Sequence, residues 1–392
     1  GQVRELHDVA IHRAGDIGGT KTSLGIYEPR HTGRPRLLRE ATIASRDYHQ
    51  FDAVLDAFLA GDVTLAAAAF GIAGPVDGDV VQLTNLPWRI EATELADRLG
   101  CPVRLLNDLE ATAFATLDLR ADEVQVLNPG VDAPGNRCVL AAGTGLGQAL
   151  LPWDGAAYRP FASEGGHADF APRNETELQL LRFLLQRNPR VSSETVLSGA
   201  GLVRIFDFVV AGLGVQPAAA VTARFEPRTA SQVIGAAALA AECPACERAV
   251  DLFVSIYGAQ AGNLALTSVA VGGVYVAGGI VLKLLPKFMT GEFVAAFVER
   301  TFHRPLEFRV EAGILAHAFD VDAAHEVAVR RHIAHQLADL AGAVEELVAH
   351  PPDRRGHQQR ADDHHPDNDR VRLLDLDLAL LWNLRTVAAT GT

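Results

Sequence analysis

Apolar and polar positions alternate along much of the first half of the chain, and that alternation predicts strands. Residues 22–27, 37–43 and 65–70 each read as a strand bounded by glycine, proline or charge. Between the second and third, Phe51, Val54, Leu55, Phe58 and Leu59 share one face, predicting a helix over 48–60. A short helix over 92–99 then precedes a strand over 103–106. Alternating strands and helices predict an α/β layered fold.

The pattern begins again at 138–142, an apolar strand that runs into Gly143-Thr144-Gly145-Leu146-Gly147 and a second strand over 148–151. Residues 15–27 hold the same arrangement, a Gly-rich turn joining two strand-like segments. Two such halves suggest a duplicated fold with a cleft between them. The second half is more helical. Asn174 is placed to cap a helix running through 186, with Glu177 three residues on as in a capping box. Further helices are expected over 231–242 and 245–266, followed by a buried strand over 274–277 that meets Gly278-Gly279.

After about residue 319 the pattern changes. Ile333, Leu337, Leu340, Val344 and Leu347 step by three and four and predict one amphipathic helix. Residues 350–370 are nearly devoid of apolar side chains, the composition of a disordered linker, and a short apolar tail follows. The expected organisation is a frayed N-terminus over 1–12, a small α/β domain over 13–110 and a larger one over 111–312. A C-terminal helical segment over 313–349 and a disordered linker and tail over 350–392 complete it.

Composition narrows the function classes. The chain has 392 residues, 48% hydrophobic and 21% charged, which suits a globular protein with a substantial core. No apolar run approaches the roughly 18 residues needed to cross a bilayer, and no secretory leader is evident, so a cytoplasmic location is expected. The net charge of −13, with lysine only at 21, 283 and 287, argues against nucleic acid as a partner. A phosphate site in so acidic a chain must rely on backbone N–H groups and a metal ion. Cys243-Pro-Ala-Cys246 lacks a second ligand pair, so small buried residues at a helix start are expected rather than a zinc or redox site.

Several groups can carry chemistry. In Asp16-Ile17-Gly18-Gly19-Thr20-Lys21 the paired glycines let the backbone approach an anion, Thr20 adds a hydroxyl and Lys21 a charge. Asp16, a hard oxygen ligand, can hold Mg²⁺ through water. An ordinary hairpin turn would have the same composition. Gly143, Thr144 and Gly145 form a second such turn, and two in equivalent contexts suit a triphosphate gripped from both sides. Asn107-Asp108 follows a strand, where polar groups of α/β sheets line the ligand crevice. Asp108 can accept a proton from an alcohol attacking a phosphoryl group, or it can cap the helix from Leu109. Glu164, His167 and Glu194 suit the hydroxyls of a sugar. Asn85 either faces the cleft or makes a turn. A metal site with Asp169 as third ligand fits no usual zinc spacing. His332 and His335 in the tail read as solvated rather than as ligands.

Taken in order, these residues make the chain resemble the bacterial glucokinase family, members of the actin-like ATPase superfamily, over about residues 15–300. The matching blocks are DIGGTK at 16–21, GIAGPVDGD and TNLPW within 71–88, and LLNDLEA at 105–111. AAGTGLG at 141–147, SEGGHADFAP at 163–172, ETVLSGAGLV at 194–203 and VYVAGGI at 274–280 complete the set. The resemblance implies a two-domain actin-like ATPase (ribonuclease H-like) α/β fold, with duplicated βββαβα-type halves and a central cleft. It implies transfer of the ATP γ-phosphate to the 6-hydroxyl of glucose, the first step of glycolysis, with ATP and Mg²⁺ as cofactors.

By the same resemblance Asp108 would be the base, and Asn107, Glu164, His167 and Glu194 would bind glucose with Asn85 nearby. Gly18, Gly19 and Thr20 would meet one side of the phosphates and Gly143, Thr144 and Gly145 the other. Gly278 and Gly279 would lie against the adenosine, and Asp16 would assist Mg²⁺. Lys21 stands where the family often has Asn. Glucose and ATP are the expected partners, a homodimer is left open, and neither nucleic acid nor membrane is expected.

Two departures stand out: His12 and Arg13 interrupt the apolar run expected before Asp16, and residues 311–318 only faintly match the family's closing segment. The residues after 318 are either a shifted reading frame or a real appendage. The alternative functions are a repressor–kinase-group enzyme acting on another hexose or hexosamine, and a catalytically impaired sugar-binding regulator. The first usually carries a cysteine-rich zinc motif after its sugar loop, yet no cysteine lies between Cys138 and Cys243. Asp108 argues against the second.

Overall fold

The computed structural model describes residues 12–17, 21–28, 35–59, 65–74, 76, 78–83, 86–117, 119–131, 133–300 and 309–313, all within one compact unit. The first half opens with β1 (His12–Ile17), β2 (Lys21–Glu28) and β3 (Arg36–Ala44), then α1 (Phe51–Leu59) and β4 (Ala67–Ile72). A small hairpin of β5 (Val80–Gln82) and β6 (Arg89–Glu91) leads into α2 (Ala92–Leu99), β7 (Val103–Asn107) and α3 (Asp108–Thr116). The strands form one sheet in the order β3-β2-β1-β4-β7, with β1, β4 and β7 parallel and the first three antiparallel. β1 forms despite His12 and Arg13, because backbone pairing to β2 and β4 on both sides holds it.

The second half starts with β8 (Val124–Asn128), β9 (Arg137–Ala142), β10 (Leu146–Leu151) and β11 (Phe161–Ser163). A helical series follows: α4 (Glu175–Leu185), α5 (Ser193–Val196), α6 (Gly199–Ala211), α7 (Ala219–Thr222), α8 (Ala230–Leu239) and α9 (Pro244–Ser268). The remaining elements are β12 (Gly273–Ala277), α10 (Gly279–Lys283), α11 (Leu285–Phe288), α12 (Glu292–Arg300) and β13 (Val310–Gly313). Its sheet runs β11-β10-β9-β12-β13-β8. The first five strands repeat the plan of the first sheet, an antiparallel meander whose first strand continues into two parallel neighbours. The duplication expected from two Gly-rich turns is therefore a duplication of topology.

α3 lies between the two halves. Ala111 and Phe114 pack with Tyr27, Ala67, Ala69 and Leu106 of the first sheet. Ala113 packs with Val139, Ala149, Leu151 and Tyr275 of the second. A helix apolar on opposite sides is the kind that a core surrounds. The largest core gathers around α9, where Tyr257 meets Phe253, Phe288 and Phe293 edge to face. Cys243 and Cys246 are fully buried at the start of α9 with Pro244 at its first turn, the small-residue role expected of them.

Some boundaries differ from the sequence pattern for local reasons. The helix expected over 231–242 stops at Leu239, because Ala241 adopts a φ of 53° and the Glu242 N–H returns to the Ala237 carbonyl at 2.9 Å. The strand expected over 65–70 runs to Ile72, carried on by pairing with β1 and β7. The amphipathic helix, linker and tail expected beyond residue 319, and all of the N-terminal stretch except His12, lie outside the described residues.

Candidate active site

The parallel strands of the first sheet end level with one another. Ile17 pairs with Ile72, and Ile72 with Asn107, so Asp16 and Asn107 stand at one edge of the sheet. Such an edge is where open α/β sheets bind ligands. The Asn107 Nδ2 donates to the Gly74 carbonyl at 2.9 Å, and its Oδ1 accepts the Leu109 N–H at 2.9 Å. Asn107, not Asp108, is therefore the N-cap of α3. The cap fell one residue earlier than the sequence pattern placed it because Asn107 keeps an extended backbone, φ −63° and ψ 149°.

Asp108 is the first residue of α3 and also accepts the Leu109 N–H, at 2.9 Å. Burial raises its pKa to about 6; the backbone hydrogen bonds offset part of that rise, and the negative charge of Glu164 adds to it. A half-buried carboxylate on a helix anchored in both sheets is a rigid base whose proton affinity lies near neutrality.

Glu164 closes β11, and the turn after it, Gly165–His167, folds back onto β10. Gly166 is required there, since a Cβ would sit 1.9 Å from the Leu146 carbonyl oxygen. The turn brings His167 Nε2 to 3.6 Å from Glu164 Oε2, and His167 Nδ1 to 3.9 Å from Glu194 Oε1. Glu194 lies in the first turn of α5, which Ser192 caps. Its Oε2 accepts the Leu146 N–H at 2.9 Å, and a Cβ on Gly145 would come within 2.5 Å of the same oxygen. One carboxylate thus touches both the acidic-imidazole group and the Gly143–Gly147 turn. Two carboxylates flanking an imidazole, all partly open to solvent, offer the mixed acceptors and donors that adjacent hydroxyls need.

The glycine turn itself is held from below. Gly143 accepts the Gly199 N–H at 2.9 Å, so the N-terminus of α6 abuts the turn. Ser198 caps that helix through the Gly201 N–H at 3.0 Å. Gly278, with φ 89°, lies against Ala142, where a Cβ would be 2.4 Å from the carbonyl oxygen. Among the described residues nothing lies within 4 Å of a Cβ built on Gly143. Exposed Thr144 lies beside it. Backbone amides and a helix N-terminus aimed at an open turn are suited to an anion.

The structure brings Asn107, Asp108, Glu164, His167 and Glu194 into one connected group, with Gly143, Gly145 and Gly278 adjoining it. Gly279 opens α10, and Lys21 is exposed at the start of β2. Gly18, Gly19, Thr20 and Asn85 lie outside the described residues, as does the Asp16 side chain. Asp169 is paired with Arg190 at 2.6 Å instead of with a metal set, and no group of three metal-ligating side chains occurs among the described residues. No helix among them is long and apolar enough to cross a membrane. Sequence patterns did not point to Ser198-Gly199 as a support for the turn, although a serine preceding a glycine-started helix is a cap signal.

Comparison with known proteins adds an independent line. A family model described as Glucokinase matches residues 14–319. A glucokinase from a Nostoc species is 37% identical over 323 residues, spanning 77% of this chain and 94% of that protein. One from Trichormus variabilis is 38% identical over 313 residues, spanning 75% and 91%. Among solved structures, the glucokinase of an Antarctic psychrotroph superposes with a TM-score of 0.70 at 24% identity, covering 83% of this chain and 99% of that one. That last likeness concerns the fold.

Proposed function

The chain belongs to the glucokinase family, and from that membership we propose that it transfers the γ-phosphoryl group of ATP to the 6-hydroxyl of glucose. The observation that carries the reading is Asp108, a base of raised pKa fixed on α3 beside the Glu164–His167–Glu194 group.

Glu164, His167, Glu194 and Asn107 hold the sugar hydroxyls, orienting O6 towards Asp108. Asp108 accepts the O6 proton as the O6–phosphorus bond forms; the bond from phosphorus to the β–γ bridging oxygen breaks, and ADP leaves. Such transfers gain most from alignment and charge neutralisation, which fits donors fixed by the backbone rather than a covalent intermediate. Gly18, Gly19 and Thr20 on one side and Gly143, Thr144 and Gly145 on the other receive the phosphates, with Gly278 and Gly279 against the adenosine. A hard-oxygen donor at Asp16 suits Mg²⁺ through water. Bound there, the ion would neutralise phosphate charge.

The test is a coupled assay of ADP release with ATP against glucose, mannose, fructose and N-acetylated hexosamines. Turnover strongest with glucose is expected; glucose binding without turnover on any sugar would sink the proposal. Asp108→Asn is expected to lower kcat by about 10²–10⁴-fold while leaving glucose binding measurable by titration calorimetry. Near-normal turnover in that variant would remove Asp108 as the base.

A further inference from the structure

The ladder between β9 and β12 ends at the pair Ala141–Ala277. One residue further on, the two strands part company: Ala142 leads into the Gly143 turn, and Ala277 leads into Gly278 with its left-handed φ of 89°. Splayed strand ends leave backbone groups that the ladder no longer satisfies. Here the Tyr257 side chain rises from the middle of α9 into the fork. Its hydroxyl accepts the Ala142 N–H at 3.0 Å and shares its proton between the Leu140 carbonyl at 3.3 Å and the Ala277 carbonyl at 3.5 Å. The side chain is completely buried, and burial holds the phenol far above its ordinary pKa, so it stays a neutral hydroxyl.

Two of the three bonded residues, Ala142 and Ala277, directly precede Gly143 and Gly278, glycines assigned to the nucleotide. The ring is gripped edge to face by Phe253, Phe288 and Phe293, so the hydroxyl has little freedom to follow a wandering turn. The sugar-facing group meets the same turn further along, through the Glu194 carboxylate on the Leu146 N–H. One buried oxygen therefore fixes the spacing of the two nucleotide-side glycine junctions, and its bonds go to Ala142, Leu140 and Ala277 rather than to Glu164, His167 or Glu194.

We infer that Tyr257 is a positioning residue for the nucleotide: its hydroxyl preforms the Gly143 and Gly278 junctions before ATP arrives. The inference rests on the glucokinase reading of those glycines. Removing the hydroxyl while keeping the ring leaves the Ala142 N–H buried without a partner, and the turn must shift to find one.

Tyr257→Phe is expected to raise KM for ATP about tenfold while KM for glucose stays within about twofold. Val54→Ala, a core truncation in α1 of the other half, serves as the stability control: it should lower Tm and leave both KM values in place. Unchanged KM for ATP in Tyr257→Phe, or a parallel rise in both constants, overturns the inference. If wild type turns over no sugar, the glucokinase reading fails by itself, and ADP binding by calorimetry still decides between Tyr257→Phe and wild type. Should Tyr257→Phe not fold, hydrogen exchange on the nucleotide-free wild type decides instead. An Ala142 amide as slow as the core amides of β9 supports a preformed junction, and one that slows only when ADP is added overturns it.

Discussion

Asp108 occupies a position where the charged form of a carboxyl group is at a disadvantage. Loss of hydration costs the anion more than the acid, and the Glu164 charge adds a smaller penalty of the same sign, so the pKa rises to about 6. A base works as the anion, so activity should be full above that value and fall as pH drops through it, about tenfold per unit. An aspartate of ordinary pKa, about 3.9, would keep the rate flat through pH 5. The measurement is kcat/KM for glucose from pH 4.5 to 8, and a flat profile through pH 5 would contradict the assignment. Glu164→Gln should move the acid limb to lower pH, but not to the ordinary aspartate range, because burial is the larger cause. At this scale the sequence was informative about residue types near strand ends and poor about their supports. The Asn107-Asp108 pair announces itself after an apolar run, but which of the two caps the helix depends on backbone angles. Tyr257 reaches its partner across 115 positions, a distance no local pattern spans.

Between elements, Arg173 joins the approach to α4 with the outer faces of α9 and α12. Its guanidinium donates to Glu177 at 2.5 and 3.0 Å, to Ser255 Oγ at 2.8 Å and to Glu299 at 3.2 Å. The Glu177 side chain is only 1% exposed, and that guanidinium is its charged partner. Arg173→Met should destabilise the protein by about 3–5 kcal/mol, read as a lower urea midpoint, because it strands a buried carboxylate. The double variant Arg173→Met/Glu177→Leu should recover most of the loss, whereas an equal deficit in both would place the cost in packing. The Asn174 cap was legible, but the box is not closed, because Glu177 Oε2 accepts the Arg173 N–H at 2.8 Å instead of that of Asn174; its use as a buried anion was not legible, since nothing along the chain reports burial. Elements that escaped the pattern did so for local physical reasons. β11 is three residues long and only partly buried, too short to alternate. α6 begins Gly-Ala-Gly, which lowers helix propensity, yet a Cβ on Gly201 would lie 2.3 Å from the Val196 carbonyl oxygen. Close approach to α5 selects glycine there against the local preference.

At the scale of the whole molecule, the repeated strand order explains why motifs from distant stretches converge. Each half ends its parallel strands at one edge, and α3, buried between the sheets, carries Asp108. The family match runs over residues 14–319, and the Nostoc relative is covered over 94% of its length by this chain. The residues beyond 319 lie outside that match. Cutting the chain after residue 319 should leave kcat and both KM values within about twofold of the full chain, as expected when removed residues make no part of the shared fold. Cutting at residue 308 should behave quite differently. It removes β13, which lies between β12 and β8 with Val310 and Ala312 fully buried. β12 would then present an open edge beside the Gly278 junction, and β8 would lose the strand it pairs with. That shorter chain should be aggregated or inactive in the coupled assay, and soluble, active protein from it would show that the second sheet does not need the strand between β12 and β8. Loss of activity on cutting at 319 would instead make the terminal segment part of the working fold, and the family boundary would no longer mark the end of the functional unit.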